Sequence, residues 1–394
     1  MKGPFAEALG HVFSRRHVRA EAFPWGVLFL SIIMLMTGLV FIAAMDASPS
    51  NTGPRRINFD GHKEKLLVAI PIFFAGLFLR PQWLRRNTPL IYGGCIALLA
   101  WVPYFGDERN NARRWIQLPR FDLQPSELAK VGLILMLARV LHKNELKSPG
   151  DWLLPLLVAA LPMGLVAMQP DLGTALTMVP VTLGLIYLAG GSGLAILGLV
   201  GGAALLGATA FKADLIQAYQ LERIETWVES FDTADLIASR NGPGFHTFHA
   251  RAFTGNGGMY GRGLGEGVAN ETGLLPERDC DSIIAVIAEE AGFAWTSILL
   301  LAYALMIGLL MVAASRLRDR YARLAVGGVA IYFGAHLVIN VSVNLGLMPM
   351  TGLTLPLLST GGSSLLATFL ALGLSLGLSS HHERDLGSDA FRDY

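Results

Sequence analysis

The sequence has few charged residues, and this scarcity excludes most classes of soluble protein. Only 15% of its 394 residues are Asp, Glu, Lys or Arg, whereas soluble domains average about 25%. The hydrophobic fraction is 53%, so most of the molecular surface is expected to face lipid rather than water. The net charge is +1 and no long basic tail is present, which argues against nucleic acid as a partner.

Cysteine is also scarce, and the common nucleotide and zinc motifs are missing. Cys95 in an apolar run and Cys280 in a polar segment do not make a disulfide framework. The sequence contains no G-x-x-x-x-G-K-[ST] phosphate loop and no H-E-x-x-H zinc helix. The glycines between residues 255 and 267 follow no predicted strand, so they indicate a flexible loop rather than a dinucleotide site. An ATP-driven pump is therefore not expected.

Ten apolar runs predict an all-α polytopic membrane protein. A spanning helix needs about 20 mostly apolar residues, because its backbone polar groups must be satisfied within the segment. The first run is longer than a signal peptide's apolar core of about 7 to 15 residues, so we expect a retained helix. The runs lie near residues 24–45, 65–80, 89–105, 125–142, 152–168, 173–190, 192–210, 283–315, 323–347 and 362–380.

Lys and Arg in the short connections predict the orientation of this bundle. Two arginine sets, at residues 80–86 and 316–323, fall on the same side as the basic N-terminus, which the positive-inside rule makes cytoplasmic. Arg113 and Arg114 lie on the opposite side and break this trend, so they need another explanation.

This orientation divides the chain into three parts. Residues 1–23 form a cytoplasmic N-terminal segment, 24–380 form the membrane domain, and 381–394 form a cytoplasmic tail. Residues 211–282 form one long extracytoplasmic loop within the membrane domain, and a connection of that length is usually functional or disordered.

The connection before the fourth predicted helix carries a cationic motif. Arg113, Arg114 and Trp115 precede Glu127 and Lys130, which share one helix face at the water boundary. Arg offers a planar fork to phosphate oxygens and Lys a point charge, while Trp can stack on a sugar, so the set suits a phosphorylated head group. Alternatively, Glu127 and Lys130 form a simple helix pair and Trp115 belongs to an interfacial aromatic belt.

Carboxylates stand at two other helix ends. Asp171 occupies a tight turn between the fifth and sixth helices, where it is either functional or an N-cap. Asp281 enters the eighth helix from a polar stretch that begins at Leu275. A carboxyl facing a low-dielectric pocket there would have its pKa raised toward the working range of a general base. The alternative is that Asp281 and its neighbours cap the helix and pair with Arg278.

The ninth predicted helix carries a polar stripe, and irregular backbone follows it. His336, Asn340 and Asn344 recur at steps of four, so they share a stripe that must face the bundle interior. They either line a polar cavity or bond neighbouring helices. The prolines and glycines between residues 349 and 364 indicate irregular backbone, which is tolerated at membrane depth only where it lines a cavity or is buried in protein.

Taken in order, these motifs resemble the SEDS family (shape, elongation, division and sporulation), whose members include the RodA and FtsW peptidoglycan polymerases. The resemblance runs over residues 105 to 365 and rests on four segments, namely 112–130, 169–175, 275–292 and 340–364. Arg278 after Pro276 and Glu277 looks slightly more like the elongation type than the division type.

The resemblance implies a glycosyltransferase that polymerises lipid II on the outer membrane face, with a class B penicillin-binding protein as partner. Asp281 falls on the family's essential aspartate, whose expected role is to take the proton from the acceptor hydroxyl. No cofactor is required, and assistance by Mg or Mn is left open. The implied substrate-binding residues are Arg113, Arg114, Trp115, Glu127, Lys130, Asp171, Glu277 and Ser363.

The sequence departs from the family pattern close to that aspartate. The family usually has His-Thr before the aspartate and an aromatic after it, where this chain has Asp279, Cys280 and Ser282. Thr360 stands at a place usually held by Tyr, and Asn111 at one usually held by Gly. The aspartate is retained, so the activity is still expected, whereas acceptor positioning and the precise substrate are open.

Two rival functions fit the same composition. A transporter of the lipid-linked precursor would need important polar groups at both faces and at the midplane, whereas the candidates here crowd onto the outer side. A noncatalytic scaffold for a cell-wall synthase would make Asp281 dispensable.

Overall fold

Ten long helices in the described residues coincide with the ten predicted apolar runs. The computed structural model describes residues 12–13, 20–52, 56–109, 112–117, 122–212 and 218–380. The helices are α1 (Trp25–Asp46), α2 (Phe59–Phe78), α3 (Pro81–Phe105), α4 (Pro125–Leu141), α5 (Pro149–Ala167), α6 (Leu172–Leu188), α7 (Gly193–Lys212), α12 (Ile283–Ser315), α13 (Arg320–Asn344) and α14 (Gly362–Ser380).

Six of the described helices, α1, α3, α5, α12, α13 and α14, are long and apolar enough to cross a membrane. Two further helices, α6 and α7, contain shorter apolar stretches. The remaining pair, α2 and α4, carry charged residues in their first turns, Asp60 and Glu127. The predicted all-α polytopic membrane protein is confirmed.

The connections contain more structure than the sequence predicts. A small antiparallel sheet, β1 (Asp107–Arg109), β2 (Ala112–Gln117) and β3 (Asp122–Leu123), precedes α4. The expected loop 211–282 contains helices α8 (Ala218–Glu229), α9 (Thr233–Ala238), α10 (Phe245–Asn256) and α11 (Val268–Thr272), with a 3-10 turn at Ser239–Asn241.

The centre of the bundle is formed by α4, α13 and α14, which are mostly buried, whereas α1, α3 and α5 expose apolar side chains on the outside. Because lipid is as apolar as the core, helix association there depends on close packing and polar contacts. One close contact joins α2 to α14: a Cβ added at Gly373 or Gly377 would collide with the carbonyl oxygen of Phe73 or Leu77.

Helix α12 is broken at Gly292, which has φ 80° and ψ 175°. The residues predicted as a flexible glycine loop pack against this break: the N–H groups of Phe293 and Ala294 donate to the carbonyls of Gly258 and Met259. In return Arg262 N donates to Glu289 O at 3.1 Å. The prediction of a flexible loop is therefore wrong. These glycines instead allow the loop backbone to approach the helix directly.

Candidate functional site

The segment Leu345 to Gly361, between α13 and α14, is hydrogen-bonded to the polar stripe of α13 and to the turn before α12. Asn340 Nδ2 donates to Leu353 O at 2.8 Å, and His336 Nδ1 lies 3.0 Å from Thr354 O. Thr360 N donates to Asp279 O at 2.8 Å. Much of this segment is buried, which confirms the expectation of irregular backbone buried within protein.

Two asparagines of α13 hold the backbone at Asp281. The Nδ2 groups of Asn340 and Asn344 both donate to Asp281 O at 2.9 Å. Of the two interpretations of the α13 stripe, bonding to neighbouring segments is the one observed. Asp281 does not cap α12, since Ser282 is its N-cap residue and no side-chain cap bond forms.

The Asp281 carboxyl faces a histidine that the sequence analysis did not find. His246 on α10 places Nε2 3.8 Å from Asp281 Oδ1, and Ser282 Oγ lies 3.4 Å from both atoms. Gly352 lies beside the other carboxyl oxygen, because a Cβ added there would come 3.9 Å from Asp281 Oδ2. His246 is 35 residues before Asp281 on a separate helix, so no spacing rule could have predicted the pair.

Burial changes the acid–base properties of this pair. Burial, and then the Glu277 carboxylate, raise the pKa of Asp281 to about 8. Burial also lowers the pKa of His246 below its usual range. The contact is therefore between a carboxyl that holds its proton unusually well and a neutral imidazole, a combination typical of general acid–base sites.

Glu277 shapes the turn that leads to Asp281. It has a φ of 47°, a left-handed conformation that costs about 1–3 kcal/mol in a residue other than glycine. Its carbonyl accepts hydrogen bonds from Cys280 N and Ser282 N. Non-glycine residues in such conformations cluster at functional sites.

A second polar cluster joins the first two sequence motifs. Arg114 on β2 donates from Nε to Gln169 O at 2.7 Å and from Nη2 to Pro170 O at 2.5 Å, and its Nη1 lies 3.9 Å from Asp171 Oδ1. Asp171 also accepts from Thr174 N at 3.3 Å, so it is the N-cap of α6, as its alternative interpretation proposed.

Gln124 extends this cluster to α14. Its side chain donates to Asp171 Oδ2 at 2.9 Å, and its backbone N–H donates to Ser363 Oγ at 2.6 Å. Ser363 Oγ in turn donates to Asp122 O at 2.8 Å. Arg114, Asp171 and Ser363, far apart in sequence, are thus brought together at one end of the bundle.

Glu127 and Lys130 lie inside the bundle rather than at its surface. Lys130 Nζ donates to Glu127 Oε1 at 2.8 Å, lies 3.1 Å from His336 Nε2, and sits over the Tyr332 ring at 5.5 Å. The Lys130 side chain is 1% exposed. The helix-pair interpretation describes this contact, and substrate contact by either residue stays a prediction.

Arg113 and Trp115 are the remaining residues of the cationic motif. Arg113 is exposed and pairs with Glu108 across the sheet, Nη2 to Oε2 at 3.2 Å. Trp115 is half-buried on β2 opposite Asp107. Asn111, at one of the departures from the family pattern, lies outside the described residues.

Arg278 and the two glutamates of α12 form hydrogen bonds with the loop that precedes α12 rather than with Asp281. Glu289 Oε2 accepts from Ala269 N at 2.9 Å, and Glu290 Oε2 accepts from Gly265 N at 2.9 Å. Arg278 Nη1 donates to Ala269 O at 3.4 Å, and no ion pair of Arg278 with these carboxylates occurs within the described part of the chain. The alternative interpretation, in which Asp281 and its neighbours pair with Arg278, is therefore not observed among the described residues.

Glu277, Asp279 and Cys280 could converge on one metal ion, since their ligand atoms lie within 4.8 Å of one another. Burial raises the pKa of the Cys280 thiol well above its usual value, and Thr360 Oγ1 donates a hydrogen bond to Asp279 Oδ2. Mg²⁺ and Mn²⁺ prefer a shell of oxygen ligands. A protonated thiol and a committed carboxylate therefore fit such an ion poorly.

The sequence matches known relatives over most of its length. Residues 25–384 match the FtsW/RodA/SpoVE family, described as cell cycle protein. A probable peptidoglycan glycosyltransferase FtsW of Trichlorobacter lovleyi is 35% identical over 305 residues, 76% of this chain and 77% of that one. The peptidoglycan glycosyltransferase MrdB of Escherichia coli K12 is 32% identical over 310 residues, 77% of this chain and 80% of that one.

Solved structures share the fold. One chain, from a study of the structural coordination of polymerization and crosslinking by a peptidoglycan synthase complex, matches with a TM-score of 0.77 and 30% identity, covering 94% of this chain and 99% of that one. The rod shape determining protein RodA of Thermus thermophilus matches with a TM-score of 0.67 and 29% identity, covering 94% and 98%. This chain therefore belongs to the FtsW/RodA/SpoVE family, the SEDS family that its four motifs resemble.

Proposed function

We propose that this protein is a peptidoglycan glycosyltransferase that polymerises lipid II, an undecaprenyl-pyrophosphate-linked disaccharide pentapeptide, into glycan strands. The observation that carries the proposal is the Asp281 carboxyl, which is 7% exposed and has its pKa raised to about 8. Its backbone is fixed by two asparagines and its side chain faces His246. The activity of the relatives supports the reaction class.

In the proposed reaction, the ionised Asp281 carboxylate accepts the proton of the acceptor sugar hydroxyl. The hydroxyl oxygen attacks the anomeric carbon of the donor, the new glycosidic bond forms, and the bond to the pyrophosphate breaks. The lipid pyrophosphate leaves with the bonding electron pair. A general base typically contributes about 10²–10⁴-fold to such a step.

We assign substrate binding to residues on β2, on α4, at the starts of α6 and α14, and in the turn before Asp281. Arg113 and Trp115 present exposed or half-buried faces on β2 to a phosphorylated head group and its sugar. Arg114 with Asp171 and Ser363 fixes the position of that strand over α4 and α14. Glu127 and Lys130 would contribute to substrate binding from within the bundle. Glu277 would contribute through the turn that orients Asp281.

The proposed location is the cytoplasmic membrane, with both termini cytoplasmic and Asp281 on the outer face. We infer a class B penicillin-binding protein as the partner that crosslinks the strands, because one matched chain comes from a complex that couples polymerization to crosslinking. The proposed reaction requires no cofactor.

The test compares purified wild type and Asp281→Asn with lipid II, each with and without the candidate partner. Asp281→Asn removes the base while nearly preserving shape, and Asp235→Asn on α9 is a matched control at an exposed position. Polymer from wild type and control, and none from a folded Asp281→Asn protein, is expected. Equal polymer from all three would remove Asp281 from catalysis, and no polymer from any would favour the scaffold or transporter.

A chelator arm of the same assay tests the cofactor. Polymer formation by wild type should survive removal of divalent ions. A loss of product that either Mg²⁺ or Mn²⁺ restores would contradict a cofactor-free reaction.

A further inference from the structure

A cavity of about 580 Å³ lies at the opposite end of the bundle from Asp281. It is bounded by the starts of α1, α3 and α13 and by the ends of α12 and α14. Its volume falls within the range of about 300–1,000 Å³ found for small-molecule sites. The mechanism above uses none of its residues.

The charged part of the cavity favours an anion. Arg85, Arg316 and Arg318 line it together with Glu21 and Asp319. Asp319 is already engaged, since Arg85 Nη1 lies 3.9 Å away and the carboxylate caps α13 through the N–H groups of Tyr321 and Ala322. Arg316 is exposed and forms no ion pair with any described residue.

A buried hydroxyl also lacks a partner at this place. Ser379, near the end of α14, lines the cavity and is 8% exposed, and its Oγ has no hydrogen-bond partner among the described residues. An unsatisfied buried hydroxyl costs about 1–3 kcal/mol. The Oγ itself is enclosed, so a ligand oxygen in the cavity would satisfy it only after a rotation of the Ser379 side chain.

The helix ends add to the preference for negative charge. Both α1 and α3 begin at the cavity, and neither has a side-chain cap. Several first-turn N–H groups are already bonded or absent, since Trp25 N donates to Phe23 O and Pro81 has no N–H. The helix ends therefore attract anions through the positive ends of their dipoles.

The remaining wall is apolar and continues to the outside of the bundle. Val312 is 45% exposed on α12, so the wall is open toward the lipid-facing side rather than closed over the cavity. Trp25, exposed at the start of α1, is placed as an interfacial aromatic residue. The apolar lining residues are Phe23, Val27, Leu309, Val312, Leu317 and Leu378.

We propose that this cavity binds an anionic phospholipid of the surrounding membrane, with the headgroup phosphate at Arg316 and Ser379 and an acyl chain along α1 and α12. A soluble anion would use the arginines but not the apolar wall, and a zwitterionic lipid would use the wall but place a second, positive group among the arginines. Basic pockets between spanning helices are a known type of site for anionic headgroups. The proposal does not depend on the transferase activity.

The test measures the thermal unfolding of the full chain in neutral detergent with added phosphatidylglycerol, phosphatidylcholine or inorganic phosphate. Phosphatidylglycerol should raise the Tm of wild type by about 2–4 °C, and the other two should have little effect. Arg316→Gln should reduce the increase to that seen with phosphatidylcholine. Arg86→Gln is the matched control, because Arg86 is an exposed arginine next to Arg85 that does not line the cavity.

A second variant keeps the test informative if Arg316→Gln unfolds. Ser379→Ala should weaken the dependence on phosphatidylglycerol concentration several-fold with an unchanged Tm in its absence. Equal increases for Arg316→Gln and Arg86→Gln would overturn the site. An equal increase from inorganic phosphate would assign the cavity to a soluble anion and overturn the lipid proposal.

Discussion

At the scale of single residues, the raised pKa of Asp281 should make the proposed reaction depend on pH. A carboxyl whose pKa is raised to about 8 holds its proton below that pH and cannot act as a base. Activity should therefore rise with pH through about 8. At one pH unit below that midpoint, the rate should be about tenfold lower than its plateau at high pH.

Removing the Glu277 charge should shift this profile. Its carboxylate raises the pKa of Asp281 by like-charge repulsion, so Glu277→Gln should move the rise in kcat/KM to lower pH. The measurement is a pH profile of polymerisation beside Glu271→Gln, an exposed carboxylate that is not among the groups shifting Asp281. An unchanged midpoint in Glu277→Gln would argue against this electrostatic coupling.

Variants of Lys130 and Glu127 can distinguish a structural role of their buried ion pair from a role in substrate binding. Lys130→Met should destabilise the protein by about 3–5 kcal/mol, because it leaves the Glu127 carboxylate buried without its cation. Adding Glu127→Gln should restore much of that stability. If the double variant is stable and active, the pair is structural, whereas a stable and inactive double variant would support substrate contact by Lys130.

Of the two residues in contact at the site, Asp281 is predictable from the sequence and His246 is not. Asp281 could be selected because a carboxylate entering an apolar helix is costly and hence conspicuous. His246 could not, because its contact with Asp281 depends on how α10 folds back over α12. Lys130 was placed at the water boundary because it is near a helix start, yet that start is itself covered by α13 and the segment after it.

At the scale of elements, the contact between α2 and α14 depends on glycine. Gly373→Val should destabilise the protein by about 1–3 kcal/mol or more, since its side chain would overlap the Phe73 backbone. Gly308→Val on α12 is the control, because a Cβ there meets nothing within 4 Å. The comparison uses Tm in detergent, and equal values for the two variants would show that α2 can move away at little cost.

Most element boundaries follow from hydrophobicity, and the exceptions have physical reasons. The α12 and α14 bounds agree with the predicted runs, whereas α2 and α3 begin six and eight residues earlier, because polar residues at membrane boundaries can be helical without being apolar. The sheet and helices α8 to α11 were missed because short polar segments are stabilised by docking on the bundle rather than by their own periodicity.

At the scale of the whole molecule, the proposed ten crossings would place both ends of the membrane domain on one side. A membrane-impermeant thiol reagent should label Glu225→Cys on α8 in intact cells stripped of outer layers, in a background with Cys95 and Cys280 changed to serine. Lys143→Cys, between α4 and α5, should react only after the membrane is permeabilised. Both positions are exposed, and the reverse pattern would invert the proposed orientation.

The attachment of Asp281 to α13, and of Asp279 to the segment before α14, has a consequence for biosynthesis. Asn340, Asn344 and Thr360 all follow Asp281 in the chain, so they leave the ribosome after it. A nascent chain that has already exposed the proposed catalytic carboxyl still lacks the framework that holds that carboxyl in place. Under the proposed mechanism, catalytic competence therefore arises only after the final two helices have been inserted, and a product of interrupted translation should not consume the precursor.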